Sequence, residues 1–254
     1  MTMLDQLLVP GAIRMLFQPI LRIFDDDIRL YSLEALARGP AGTSMERPDV
    51  LFEYARRKGE ESRIDRLCIA AALEAAATLP NEPHISVNVH GSTISSPPDF
   101  AVWIAELAAQ HGIAPQRIIV ELLEHRPPTA LESLRAALAD LRAIGIRIAL
   151  DDLGVGASNY HMFVDCRPDH LKIDRYLVQG CSSDAWRRAV LRSIVTLGAA
   201  CGALPIAEGI ENAEDLAAVR AAGIDHVQGW LYSPGLTPLE ITASPFFNER
   251  FSLQ

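Results

Sequence analysis

Carboxylates and amides recur in this chain at one kind of position, toward the far end of a short apolar run. Glu34 lies in LYSLEALA, Asn88 in HISVNV, Glu121 in RIIVELL, Asp151 and Asp152 close RIALDD, and Glu208 follows LPIA. Lys172 in HLKID and Gln228 after DHV hold the matching places in two further runs. Singly, such residues read as helix caps or surface ion pairs; Asp152 alone suits a cap, and Lys172 alone an ordinary rim lysine. Brought to one rim, five carboxylates repel one another and must take up protons or be neutralised by cations. Oxygen ligands with one amide and no Cys or His cluster suit Mg²⁺ or Mn²⁺ rather than zinc. The adjacent pair Asp151–Asp152 suits two ions, with Asp151 bridging. Two ions about 4 Å apart stabilise both the attacking and the leaving oxygen of a phosphodiester hydrolysis.

Such convergence needs a scaffold that aims many strand ends at one face. Apolar runs at 15–23, 30–37, 84–89, 117–123, 147–152, 170–174, 204–209 and 225–232 predict eight strands. Between them, 131–145 and 185–202 carry leucines and alanines at three- and four-residue spacing and close on Gly, the pattern of amphipathic helices. Residues 212–223 form another, with Asn212 as N-cap. The alternation predicts an α/β fold, a (β/α)8 TIM-like barrel whose chemistry sits at the C-terminal strand ends. Only FDDDIR separates the first two strands, too little for a crossover helix, so the first strand is expected to run antiparallel to the second. Without a repeat, low-complexity tract or linker, residues 1–254 read as a single domain, and 39–49 as its clearest irregular loop.

A hydrophobic content of 49% is ample for one large core. The net charge of −9 argues against a long nucleic-acid partner, which wants a basic face, but not against a small phosphorylated ligand held by metals. Cys68, Cys166, Cys181 and Cys201 show no CxxC or regular framework and read as reduced thiols, mostly buried. No cationic segment precedes the first apolar residues and no apolar run is long enough to cross a bilayer. A cytoplasmic protein with no membrane insertion is expected. The histidines form no HxH or HExxH pair and read as structural or surface residues. His90 is read as a solvated rim residue, Trp230 as either a stacking platform or a packed part of the barrel wall, and ARRKG (55–59) as a solvated helix end.

Seven motifs in order also carry a family resemblance: Glu34-Ala35-Leu36 followed by Arg38, SVNV (86–89), ELLE (121–124), DDLGVG (151–156), LKID (171–174), AEGIE (207–211) and QGW (228–230). From FQPI (17–20) to QGWLYSP (228–234) the chain resembles the EAL-domain cyclic-di-GMP phosphodiesterases. The resemblance implies that Glu34, Asn88, Glu121 and Asp151 hold one Mg²⁺ or Mn²⁺, and Asp151, Asp152 and Glu208 a second. It further implies that Lys172 positions or helps activate the attacking water, with Glu211 orienting it. Arg38 resembles the phosphate-binding arginine, and a guanidinium suits that task through its forked donors. Leu36 and Gln228 are assigned to the substrate site, and Glu124 to holding the loop after the fifth strand. Gln18 and Asp174 match the family without an assigned direct role.

The resemblance departs at DDLGVGASN (151–159), where Leu153, Val155, Ala157 and Asn159 stand for a Phe, a Thr, a Tyr and a Ser. A second departure is Ser233-Pro234-Gly235, where a basic residue before Pro is usual. The implied activity is hydrolysis of cyclic di-GMP to linear 5′-pGpG. The alternative is a catalytically weak EAL-type receptor that binds the same ligand and acts through protein interaction. A scaffold that has lost nucleotide binding is a third reading, opposed by Arg38 and Gln228. A homodimer is implied by the resemblance and by the helix after 151–159, and regulation is expected through dimerisation, a separate regulatory protein or transcription.

Overall fold

A computed structural model describes residues 7, 9, 11–25, 27–80, 83–95, 99–123, 131–153 and 159–247. β1 (Arg14–Ile23) and β2 (Ile28–Arg38) make the antiparallel hairpin that the short connection predicts. They are followed by β3 (His84–Val89), β4 (Ile118–Leu122), β5 (Arg147–Leu153), β6 (His170–Ile173), β7 (Leu204–Ala207) and β8 (His226–Val227). From β2 to β8 neighbours pair in parallel, and β1 pairs antiparallel with β8 to close the barrel.

The helices expected at 131–145, 185–202 and 212–223 form at Leu131–Ala143, Ala185–Cys201 and Ala213–Ala221, among others that the sequence pattern did not single out. α1 (Pro48–Lys58) and α2 (Glu61–Ala76) lead to β3, and α3 (Gly91–Ser95) and α4 (Phe100–Gln110) to β4. α5 (Leu131–Ala143), α6 (Asn159–Cys166), α7 (Arg175–Val178), α8 (Ala185–Cys201), α9 (Ala213–Ala221) and α10 (Pro238–Ala243) complete the set. In α5 the buried residues Leu134, Ala137, Leu138 and Leu141 repeat at the expected spacing, so one stripe faces the barrel. Asp184 caps α8 by accepting from the amides of Trp186 and Arg187, and Asn212 caps α9 through the amide of Asp215. Basic Arg56, Arg57 and Lys58 fill the last turn of α1, where cations favour the helix dipole. The loop at 39–49 contains a single 3-10 turn, Ser44–Glu46, before α1 begins.

The eighth run is the main correction to the predicted elements. Only His226–Val227 pairs in the sheet, not 225–232. A side chain at Gly229 would meet the Ile210 carbonyl oxygen at 2.0 Å, so this backbone lies directly against the loop after β7. Leu231 donates its amide to that same carbonyl, and Tyr232 and Ser233 donate theirs to Gly229. QGWLY is therefore a turn pinned to the neighbouring loop, and its apolar residues answer to that packing rather than to a strand.

Two breaks in register re-aim side chains, as β-bulges do. Between β1 and β2 the pairing steps from Ile20–Ser32 to Leu21–Leu30, leaving Tyr31 as the extra residue. Tyr31 thereby joins His84, His170 and His226, which share strand faces with Asn88, Lys172 and Gln228 two or four residues on. The Tyr31 hydroxyl lies 2.6 Å from His170 Nε2 and accepts from Arg147 at 3.2 Å, and its ring packs on His226 at 4.6 Å and His84 at 6.3 Å. The second break lies in β5, between Leu150 and Leu153. Among the cysteines, Cys68, Cys166 and Cys181 are buried and Cys201 is exposed, all as free thiols. No helix of the described residues is long and apolar enough to cross a membrane.

Candidate functional site

The bulge in β5 solves a geometric problem posed by adjacent acids. In a regular strand Asp151 and Asp152 would point to opposite faces. Here Asp152 takes φ +53°, a left-handed conformation that Asp tolerates better than most residues, and its amide donates to Asp151 Oδ1 at 2.9 Å. Both carboxylates then face one site, where oxygens of Asp151, Asp152 and Glu208 lie within 4.8 Å of one another. Glu208 arrives from the residue after β7, whose amide continues the ladder to the Ile173 carbonyl.

Register brings in the other strands. Gln18 on β1 pairs opposite Glu34 on β2, and Asn88 on β3 opposite Glu121 on β4. Asn88 donates to Glu34 Oε1 at 2.8 Å, and Gln228 donates to Glu34 Oε2 at 2.7 Å and to Gln18 Oε1 at 3.1 Å. Gln18 in turn donates to the Ser233 carbonyl at 3.0 Å, tying this chain of amides to the turn after β8. Lys172, 1% exposed, rises from β6 into the middle of the acids. Its Nζ lies 2.6 Å from Glu121, 2.6 Å from Glu208, 3.2 Å from Glu34 and 3.4 Å from Asp151.

One ammonium does not neutralise this cluster. Burial, reinforced by the charges of Glu34 and Asp151, pushes Glu121 up to about 8 against the pull of Lys172. Asp151 is raised and Glu208 raised well above its ordinary value, in each case by burial first and neighbouring carboxylates next. Glu34 is the exception. Burial also pushes it up, but Lys172 and the amide donors of Asn88 and Gln228 together hold it below its ordinary value. Lys172 is held well above its own, because the four surrounding carboxylates outweigh its burial. Meanwhile Asn88 Oδ1 and Gln228 Oε1 are buried acceptors without a hydrogen-bond partner among the described residues. A surplus of buried negative charge beside an unused carbonyl oxygen fits hard divalent cations with oxygen ligands.

Two clefts open on this cluster and share Glu34 and Asp151 in their walls. One, of about 210 Å³, is lined by Leu36, Arg38, Phe52 and Asn88. Burial, then repulsion from Arg14, lowers the Arg38 pKa, so an anion beside that guanidinium would be favoured. The other, of about 340 Å³, is lined by Asp152, Lys172, Glu208, Glu211, Gln228 and Trp230. Trp230 is 72% exposed, so it is not packed in the barrel wall.

Glu34, Asn88, Glu121, Asp151, Asp152, Lys172, Glu208 and Gln228 are thus brought together, with Arg38 and Leu36 in the adjoining cleft. Glu211 is not joined to Lys172. It accepts from Gln179 at 2.9 Å, and the ion pairs of Lys172 among the described residues go elsewhere. Glu124, Val155 and Ala157 lie outside the described residues, and of Asn159 only the backbone is described. Leu153 is buried and pairs with Ile173, so this departure from the family pattern serves as core. His90 is not a free rim residue but is bonded to the buried Asp65. Gln18, a family match without an assigned role, stands opposite Glu34 only because the bulge at Tyr31 shifts the hairpin register by one residue. Gln179, which also donates to the Gly209 carbonyl, had no sequence signal.

The chain matches the EAL domain family model over residues 1–235. It is 28% identical over 201 residues to the probable cyclic di-GMP phosphodiesterase PdeA of Escherichia coli, covering 78% of this chain and 27% of that protein. It is 25% identical to the E. coli blue light- and temperature-regulated antirepressor BluF, covering 81% of this chain and 50% of that one. A Klebsiella pneumoniae BlrP1 structure, a manganese and cyclic-diGMP complex, superposes with a TM-score of 0.81 at 27% identity, over 92% of this chain and 58% of that one. The chain therefore spans between about a quarter and somewhat over half the length of these relatives. With that match over most of its length and the closed barrel, the chain belongs to the EAL domain family.

Proposed function

We propose that this domain hydrolyses one phosphodiester of cyclic di-GMP, giving linear 5′-pGpG, with two Mg²⁺ or Mn²⁺ ions. The observation that carries this reading is the cluster of five carboxylates and Asn88 around Lys172 on one barrel rim. Glu34, Asn88, Glu121 and Asp151 would hold one ion, and Asp151, Asp152 and Glu208 the other. Bound there, the ions would polarise the phosphate and stabilise charge on the attacking and leaving oxygens.

The chain's own residues account for the remainder. Water forms the new P–O bond as the bond to the 3′ oxygen breaks. The water gives up one proton to solvent or a rim carboxylate, and the 3′ oxygen takes one up from solvent, so no net proton is gained or lost. Lys172 Nζ, a buried donor among acceptors, positions the attacking water and helps to activate it. Arg38 grips phosphate from the neighbouring cleft, with Leu36 against the base beside it. Gln228 fixes Glu34 through its amide, and exposed Trp230 offers a stacking face at the second cleft. Glu211 acts through Gln179 on the loop after β7, and Glu124 holds the loop after β5. We also assign a homodimer contact to α6, whose Tyr160 and Val164, one turn apart, are 70% and 67% exposed. A monomeric mass by light scattering at high concentration would remove that assignment.

A receptor is the second reading, favoured by the altered segment DDLGVGASN. Chromatography of cyclic di-GMP after incubation with the protein and Mn²⁺ separates the two. Linear product supports the enzyme, while binding without product supports the receptor.

A further inference from the structure

We propose that Asp65, a residue remote from the acid rim in sequence and outside the set of ligands, is the positioning residue for Asn88. The inference rests on the metal-site reading above and adds to it the element that aims one ligand. Asp65 lies on α2, is 1% exposed, and spends its carboxylate on the turn directly after β3. Its Oδ2 accepts from the His90 amide at 2.9 Å and the Thr93 hydroxyl at 2.6 Å, and His90 Nδ1 lies 3.0 Å away. Two donors and an imidazole nitrogen from residues 90–93 therefore converge on one buried carboxylate.

A buried carboxylate is a costly way to hold a turn that a neutral side chain could brace, because its desolvation must be offset in full. What the charge adds is stiffness, since hydrogen bonds to an ionised acceptor are shorter and stronger than neutral ones. The stiffness is applied two residues from Asn88, whose amide already donates to Glu34 and whose Oδ1 is the acceptor without a partner. The same clamp reaches the other wall of the cleft, for the His90 ring packs on Phe52 at 6.3 Å. Asp65 thus braces the residues that directly follow the strand offering Asn88 and, through His90, the Phe52 ring that lines the same cleft as Arg38.

The test is Mn²⁺ uptake by the full chain, followed by electron paramagnetic resonance of the free ion, with folding checked by circular dichroism and thermal unfolding. Asp65→Asn keeps the shape but removes the charge, and should weaken Mn²⁺ binding about tenfold, in line with losses of supporting partners at metal sites. Thr93→Val removes one bond and should weaken it by a smaller factor in a folded protein, which keeps the proposal testable should Asp65→Asn not fold. A merely structural role would lower the melting temperature and leave Mn²⁺ affinity of the folded variants at the wild-type value. That result overturns the proposal alone. Wild-type protein that takes up no Mn²⁺ overturns the metal reading and this inference with it.

Discussion

Replacing Lys172 with Met tests whether this lysine is the internal counter-ion of the acid rim. Met matches the apolar stem and removes the ammonium, so the carboxylates at 2.6, 2.6, 3.2 and 3.4 Å lose their shared partner. Removing one member of a buried ion pair costs about 3–5 kcal/mol, because the other charge stays buried without compensation. Here four acids are left, yet they can take up protons, and Glu121 is already raised to about 8. Proton uptake therefore limits the loss near neutral pH, and the same range of about 3–5 kcal/mol is expected in EDTA. For a chain of this size that is a fall in Tm of roughly 6–20 °C. Saturating Mn²⁺ supplies the missing positive charge, so the variant should recover most of the loss and gain far more from the ion than wild type does. Thermal unfolding of both proteins in EDTA and in Mn²⁺ measures all four values. A variant within about 2 °C of wild type in EDTA, or one that gains no more from Mn²⁺, would refute the counter-ion argument.

Glu34→Ala should abolish hydrolysis of cyclic di-GMP while the protein stays folded, since Glu34 joins the amides of Asn88 and Gln228 to the proposed first ion; near wild-type turnover with Mn²⁺ would sink that assignment. His170 and His226 are both held down to about 4, by burial first and then by Arg147 and Arg22 respectively, with Asp169 and Asp225 opposing. Unfolded, they titrate near 6.5, so their contribution is complete above about pH 6.5 and is lost as pH falls toward 4. His170→Gln should therefore flatten the pH dependence of urea-unfolding stability by about 1.4 kcal/mol per pH unit across that window, and an unchanged slope counts against a buried neutral imidazole. Gly229→Ala drives a methyl group to 2.0 Å from the Ile210 carbonyl oxygen, whereas at Gly202 (φ +76°) nothing lies within 4 Å. The first should cost at least about 2 kcal/mol and the second only about 1; equal costs in denaturant titrations would mean that the loop after β7 yields freely.

Residue type and order alone determined much of this protein. The eight apolar runs, the two Gly-closed helices and the brevity of FDDDIR specify a closed barrel with a reversed first strand, because local periodicity and connection length are written along the chain. The acid and amide positions were legible for the same reason, as a recurrent offset within each run. Tertiary structure alone decided where the offsets fail. Asp151 and Asp152 share a face only because β5 bulges, and Tyr31 enters the barrel only because β2 carries an extra residue, events of pairing register rather than of composition. QGWLY has the apolar content of a strand, but Gly229 lies so close to the loop after β7 that the backbone turns instead. Glu211 follows AEG in a familiar motif, yet its carboxylate reaches Gln179, because side-chain partners depend on loop paths that spacing does not encode. Asp65 had no motif at all: a buried carboxylate is recognised by the donors that converge on it, and these come from a turn 25 residues away in sequence.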